Sequence, residues 1–424
     1  MIQEREYKSR RDILGKKLPK NSVGVLFSAD FATRSNDTKH PYRQDSNFYY
    51  LSGFKEDNAA LLFVKERETL ITVLFVQKKD EMLELWDGKR VGKKEAKKRF
   101  LVDKVYTKDK FTEIFKEYIK GKKKLYYDLN SGNNSVKEIL HLTKNLVVKR
   151  DLTKLIQRMR LIKSSAEIEL IKESIAITAK AHKRSMEIDK RGKYEYELQA
   201  EIEYEFKKNA AYSDAYTSIV ACGNSANTLH YIDNNKPLRE GELVLIDAGC
   251  EHNYYASDIT RTIPVDGKFT EAQKELYNLI LNTQVSIIEM IKPNIKRSKL
   301  QKRAEELLVK GMVDLGILRG NVKNLIKKQK HKKYYPHGIG HWMGLDVHDP
   351  APYRDAKNRE IPLQEGMVLT IEPGLYIDKR DLSVPQKYRG IGIRIEDDIL
   401  VTKDGYKNLS KNIAKSVEEI ENAN

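Results

Sequence analysis

Apolar residues come in short dense runs over the first third of the chain. The stretches 22–29 (SVGVLFSA), 59–64 (AALLFV), 69–76 (TLITVLFV) and 124–129 (KLYYDL) are rich in Val, Leu, Ile and aromatics and predict strands. Between them, residues 110–120 space Phe111, Ile114, Phe115 and Tyr118 as one face of a helix. Strands alternating with helices predict an α/β layer over residues 1 to 150. A helix then starts at KSSAEIEL, with Ser164 as N-cap and Glu167 three residues on, a capping box. Ile168, Ile171, Ile175 and Ala179 follow as its predicted apolar stripe. Two more long helices are predicted over 270–292 and 296–315. The domain boundary is set just before the capping box, giving domains 1–155 and 160–424. The tail, 411–424, is charged and expected to fray.

The second domain contains strand-like runs with carboxylates in unusual places. ELVLIDAG (242–249) and YYASDITRTIPV (254–265) both read as strands joined by a short polar link. A hairpin with His252 and Asn253 at its tip sets Asp247 directly opposite Asp258, with Cβ atoms about 4.5–5.5 Å apart. Like charges at that distance require a raised pKa or a cation between them. By themselves, two aspartates near a turn need no such explanation. Glu372 follows an apolar run and precedes Pro373-Gly374, which suits a ligand or a turn residue equally. GIGIRIEDDILVT (390–402) alternates strictly, so Arg394 and Glu396 project together from the face opposite Ile391, Ile393 and Ile395. His337, His341 and His348 crowd into HGIGHWMGLDVHD among glycines that permit close approach. His230 stands in ACGNSANTLHYIDNN, where a loop histidine is the simpler reading. No HExxH helix motif occurs.

Composition narrows the function classes. The chain has 424 residues, 40% hydrophobic and 33% charged, with a formal net charge of +17. A basic balance suits nucleic acid or an anionic membrane. Here the basic runs, such as Lys122-Lys123-Lys124 and the stretch 327–333, are short and scattered, with no zinc-finger or RNA-binding signature. The expectation is a solvated basic surface, with neither nucleic acid nor membrane as partner. Two cysteines, Cys222 and Cys250, cannot build a disulfide framework and point to a reducing compartment. With no apolar signal segment in MIQEREYKSRRD and no run of the length a membrane span needs, a soluble cytoplasmic protein is expected.

The ordered series LIDAG, SDITRT, HGIGHWMGLDVHD, TIEPGLYI, GIGIRIEDD resembles the pita-bread metallopeptidases, and among them the aminopeptidase P family. YRQDSNFYYLSGF (42–54) is similar to a stretch of that family's N-terminal domain. The resemblance implies an α/β N-terminal domain, serving oligomerisation and substrate access, and an α+β pita-bread (creatinase/aminopeptidase-like) catalytic domain. It implies that Asp247, Asp258, His341, Glu372 and Glu396 hold two metal ions, with Asp258 and Glu396 bridging. Four carboxylates and one imidazole suit a hard divalent pair, Mn²⁺ foremost, with Co²⁺, Zn²⁺ or Fe²⁺ as alternatives. Glu372 is the implied proton shuttle. His230 and His348 are the implied partners of the substrate carbonyl, His337 lies near the proline site, Arg394 stands beside the bridging glutamate, and Tyr376 lines the site. The implied activity removes an N-terminal residue that precedes proline, in a homodimer or homotetramer. Prolidase, with the same ligand set, is the nearest rival. A non-catalytic pita-bread binding protein and a metal-free creatine hydrolase are disfavoured because all five ligand positions are filled. Methionine aminopeptidase is disfavoured by the large N-terminal domain.

Overall fold

The computed structural model describes residues 2–144 and 147–423. The chain divides into two compact units, Met1–Met159 and Arg160–Asn424.

The first unit is built on a mixed six-stranded sheet. Its order is Lys104–Thr107, Thr69–Val76, Ala60–Glu66, Ser22–Phe27, Lys124–Tyr127, Val148–Asp151. Ser22–Phe27 runs antiparallel to Ala60–Glu66 and parallel to Lys124–Tyr127, pairing Val23 with Val64 and with Leu125. Both faces of these central strands are buried, which is why they read as continuous apolar runs and not as alternation. The predicted helix appears as Phe111–Ile119, with Phe111, Ile114 and Phe115 in the core. Tyr118 packs only at its margin. The YRQDSNFYYLSGF stretch is a connector between elements. Asp45 caps the helix Ser46–Ser52 by accepting from the Phe48 N–H, and Gly53 ends it in the left-handed region. Gln44 ties the segment down by accepting from the Ala29 N–H (2.8 Å) and donating to the Glu56 carbonyl (2.9 Å).

The second unit surrounds several short antiparallel ladders with four long helices: Ser165–Glu187, Glu195–Lys208, Glu271–Glu289 and Arg297–Asp314. The capping box at Ser164 and Glu167 forms as the spacing predicts. The apolar stripe forms only in part. Ile171 and Ile175 are buried, but Ile168 and Ala179 are only half-buried. The face turned inward includes Glu167, Ser174, Thr178 and His182.

The reason lies in the hairpin beneath that face. The run 254–265 is two strands and not one: Tyr255–Ala256 and Thr260–Pro264. The ladder is interrupted at 248–249 and 257–259, and the polar helix face meets the freed groups. Ser174 Oγ donates to the Cys250 carbonyl (2.6 Å), the Cys250 N–H donates to Thr178 Oγ1 (3.1 Å), and His182 Nε2 lies 3.2 Å from the Ala248 carbonyl. The hairpin tip is Asn253-Tyr254, both at positive φ, one residue beyond the predicted tip. Moving a tip by one residue moves every cross-strand partner by two. Asp247 therefore pairs with Thr260, not Asp258. A shift of two keeps each side chain on its face, so Asp258 stays on the side of Asp247 as a diagonal neighbour.

Burial, reinforced by Arg261, pushes the His182 imidazole down to about 4 from 6.5. A depressed folded pKa means the unfolded chain takes up a proton first as pH falls. His182 thus contributes stability above pH 6.5 that is lost between there and about 4, amounting to about 3 kcal/mol. Urea titrations across this window should show a steep loss of stability in the parent chain and a shallower one in His182→Gln. Equal slopes would contradict the assignment.

Candidate metal centre

Seven chain segments converge on a cavity of about 370 Å³, five of them carrying residues singled out as metal ligands. The strand Leu243–Asp247 ends at Asp247, and the hairpin interruption holds Asp258. Irregular chain carries His337, His341 and His348. Glu372 follows the strand Val368–Ile371. Gly392–Arg394 and Asp397–Val401 flank Glu396, so the predicted alternating strand is broken there. Arg394 and Glu396 nevertheless face the same cavity, as the alternation predicts. Strand ends suit this purpose because their side chains project where ladder pairing stops.

Three groups of donors each have ligand atoms within 4.8 Å of one another: Asp247–Asp258–Glu396, His341–Glu372–Glu396 and Asp258–His341–His348. The groups overlap through Asp258, His341 and Glu396. His341 Nε2 lies 3.2 Å from Asp258 Oδ2 and 3.9 Å from Glu372 Oε1, while its Nδ1 meets the Trp342 carbonyl at 3.0 Å. The last contact fixes the ring with Nε2 turned toward the carboxylates. Arg394 Nη2 donates to Asp247 Oδ2 (2.5 Å), its Nε to Thr260 Oγ1 (3.2 Å), and Thr260 donates to Glu396 Oε2 (2.7 Å). Tyr376 accepts from Arg394 Nη1 (3.0 Å) and lies 2.9 Å from His337 Nε2. His230 lines the mouth of the cavity, and His348 meets His341 edge-on, with ring centres 4.2 Å apart.

Tyr216 was not foreseen from the sequence. Its hydroxyl lies 2.6 Å from Asp247 Oδ1 and 2.6 Å from Asp258 Oδ1, joining the two carboxylates. A tyrosine in an irregular polar stretch (SDAYTS) carries no spacing that marks it. Asp398 was passed over as well. It accepts from the Asp258 N–H (3.1 Å) and so orients that segment.

The electrostatics are those of crowded like charge. Burial raises Asp247, Glu396 and Asp398 above the ordinary carboxylate range, and their acidic neighbours add to the rise. Burial lifts Glu372 to about 7 even though His341 and Arg394 pull it down. Burial opposes charge on His341, but the bond to Asp258 and the charges of Asp258 and Glu372 raise it to about 9. Burial, and then Arg394, lower His337 to about 4. Arg394 and the raised His341 imidazole together cannot balance Asp247, Asp258, Glu372 and Glu396 as four carboxylates. Such a donor set, buried and oxygen-rich with one imidazole, fits divalent cations, which would supply the missing positive charge.

A half-buried pocket with this donor set, on this fold, defines a metallopeptidase. Residues 169–403 match the model of metallopeptidase family M24, and residues 7–126 match that of the aminopeptidase P N-terminal domain. The chain belongs to metallopeptidase family M24 and carries the aminopeptidase P type of N-terminal domain. It is 39% identical to the Xaa-Pro aminopeptidase of Haemophilus influenzae, over 99% of this chain and 97% of that one. It is 37% identical to human Xaa-Pro aminopeptidase 3, over 98% of this chain and 85% of that one. The structure superposes on zinc-substituted Escherichia coli aminopeptidase P in complex with product at a TM-score of 0.95, with 38% identity, covering 100% of this chain and 98% of that one.

At Gly249 the two hairpin arms approach closely. A Cβ there would lie 1.9 Å from the Ser257 carbonyl oxygen, so the backbone leading into Asp258 must move. Gly249→Ala should destabilise the fold by about 3 kcal/mol and weaken divalent-cation binding about 10- to 100-fold. Urea melts and calorimetric Mn²⁺ titration check both. Unchanged cation affinity would show that Asp258 does not depend on this crossing.

Proposed function

We propose that the pocket hydrolyses the peptide bond between an N-terminal residue and a following proline, using two divalent ions held by Asp247, Asp258, His341, Glu372 and Glu396. The activity is that of an Xaa-Pro aminopeptidase, the name carried by relatives matched over nearly the whole chain. The observation that carries the ligand assignment is that the donor groups Asp247–Asp258–Glu396 and His341–Glu372–Glu396 share Glu396, so that these five residues would hold two divalent ions. When bound, the ions supply Lewis acidity and a nucleophilic water at neutral pH. Mn²⁺ is the ion the hard donor set favours.

The protein's own groups do the rest. Glu372 faces His341 and the cavity from the end of a rigid strand, and its carboxylate accepts the proton of the attacking water and passes it to the proline nitrogen. That nitrogen must be protonated to leave. As a tertiary amide it has no N–H to offer a binding site, so recognition rests on ring shape and on the carbonyl of the first residue. His230 and His348 stand at the mouth of the cavity, where their ring N–H groups donate to that carbonyl oxygen as it gains charge. His337, held by Tyr376, borders the proline ring. Arg394 holds Asp247 in register and offsets part of the buried negative charge.

The N-terminal unit is read as the oligomerisation element of a homodimer or homotetramer. Its helix Glu81–Asp87 leaves Met82, Leu83, Leu85 and Trp86 exposed, the last at 81%, which supports a covered surface there. Cys222 and Cys250 are buried and unpaired with each other, in keeping with a cytoplasmic setting. No helix among the described residues is long and apolar enough to cross a membrane.

The test strips the protein with a chelator, restores Mn²⁺, and follows release of the first residue from an Xaa-Pro-Xaa tripeptide and an Xaa-Pro dipeptide. Metal-dependent cleavage of the tripeptide is expected, with kcat in Glu372→Ala lower by about 10²- to 10⁴-fold. Cleavage confined to the dipeptide would replace this reading with a prolidase. Cleavage of neither would remove the peptidase assignment.

A further inference from the structure

Behind the cavity lies a cluster of buried charges that takes no part in the reaction described above. Arg160 is 1% exposed, Lys163 5% and Asp349 4%. Arg160 Nη2 lies 2.6 Å from Asp346 Oδ2 and 3.4 Å from Asp349 Oδ1, and Lys163 Nζ lies 3.4 Å from Asp349 Oδ2. Among the described residues neither Asp349 oxygen nor Lys163 Nζ makes a hydrogen bond, so charge alone couples them. Burial opposes the charge of Arg160, but Asp349 and Asp346 outweigh it and hold the guanidinium above its ordinary range. A buried pair coupled without hydrogen bonds, as Lys163 and Asp349 are, is a poor stabiliser. Their use here is geometric.

The cluster holds the irregular turn that ends in His348. The Asp349 N–H donates to the Trp342 carbonyl (2.9 Å), closing 342–349 on itself. Gly344 lies inside, where a Cβ would come within 2.5 Å of Asp349 Oδ2 and 2.8 Å of Lys163 Cε. The cations come from a rigid place. The Lys163 N–H donates to the Gly366 carbonyl (2.8 Å), and the next residue opens the capping box of Ser164 and Glu167. Glu167 also accepts from the Tyr255 hydroxyl (3.0 Å), which joins this helix start to the hairpin. His348 itself is exposed and rests edge-on against His341. The placement of its ring is therefore set largely by the backbone of its buried neighbour.

We propose that Asp349, clamped by Lys163 and Arg160, is the positioning residue for His348, setting its imidazole against the substrate carbonyl. This rests on the role given to His348 above. The experiment uses Mn²⁺-loaded full-length enzyme and makes Asp349→Asn and Lys163→Met, each alone and combined with His348→Ala. Metal content and thermal unfolding are measured on every variant. Asp349→Asn is expected to lower kcat about 10- to 100-fold, with metal content unchanged and KM changed far less. In the His348→Ala background the same substitution is expected to cost nothing further. Lys163→Met, which removes one cation at similar volume, is expected to follow the same pattern and carries the test if Asp349→Asn does not fold. An undiminished loss in the His348→Ala background, or a loss that tracks metal content, would overturn the proposal. Undiminished kcat in His348→Ala alone would instead remove the role of His348, and this proposal with it.

Discussion

Asp247, Asp258, Glu372 and Glu396 are gathered in one half-buried cavity against a single arginine. That concentration of like charge is the constraint on which the rest of the catalytic unit depends. In water these groups repel weakly. Out of water each pushes its neighbours toward protonation, which is why burial and mutual charge raise Asp247 and Glu396 together. The fold tolerates this because every carboxylate is delivered at a strand end or a strand interruption, by backbone already fixed elsewhere. Arg394, Thr260 and Tyr216 hold the oxygens apart in orientation while keeping them close in space. Cations are the natural complement of such a site.

The interruptions have their own consequences. A hairpin that stops pairing at 248–249 and 257–259 exposes backbone groups in the interior. Those groups are met by hydroxyls and an imidazole from the helix Ser165–Glu187, whose inward face carries Ser174, Thr178 and His182 among apolar residues such as Ile171 and Ile175. The close crossing at Gly249, the rotated helix face and the placement of Asp258 are thus one arrangement seen from three sides. The same helix start supplies Lys163 to the turn behind His348. One helix start thereby contacts both the hairpin that carries Asp247 and Asp258 and the turn that carries His348.

Much of this is legible in the chain itself. Dense β-rich runs marked the buried strands of the first unit, and the capping box marked the start of the long helix. Strict alternation placed Arg394 and Glu396 on one face, and they remain together although the strand breaks between them. The hairpin register was read two residues out, yet both aspartates stayed on the correct face, because strand geometry repeats every two residues. The apolar stripe of the helix holds at Ile171 and Ile175 but not at Ile168 and Ala179, because periodicity counts apolar residues and cannot see that part of the partner surface is backbone calling for hydrogen bonds.

By itself the sequence determined most of the elements, the strand faces on which the chemistry-bearing residues lie, and the order of motifs that marks the family. These are local properties, set by spacing along the chain. Tertiary structure alone decided which oxygens meet, that Tyr216 joins Asp247 to Asp258, and that Lys163 and Arg160 reach Asp349 from far off in the sequence. Such contacts join residues with no fixed separation in sequence. They arise only when packing brings distant segments to one place, and the cost of burying charge there selects which of them pair.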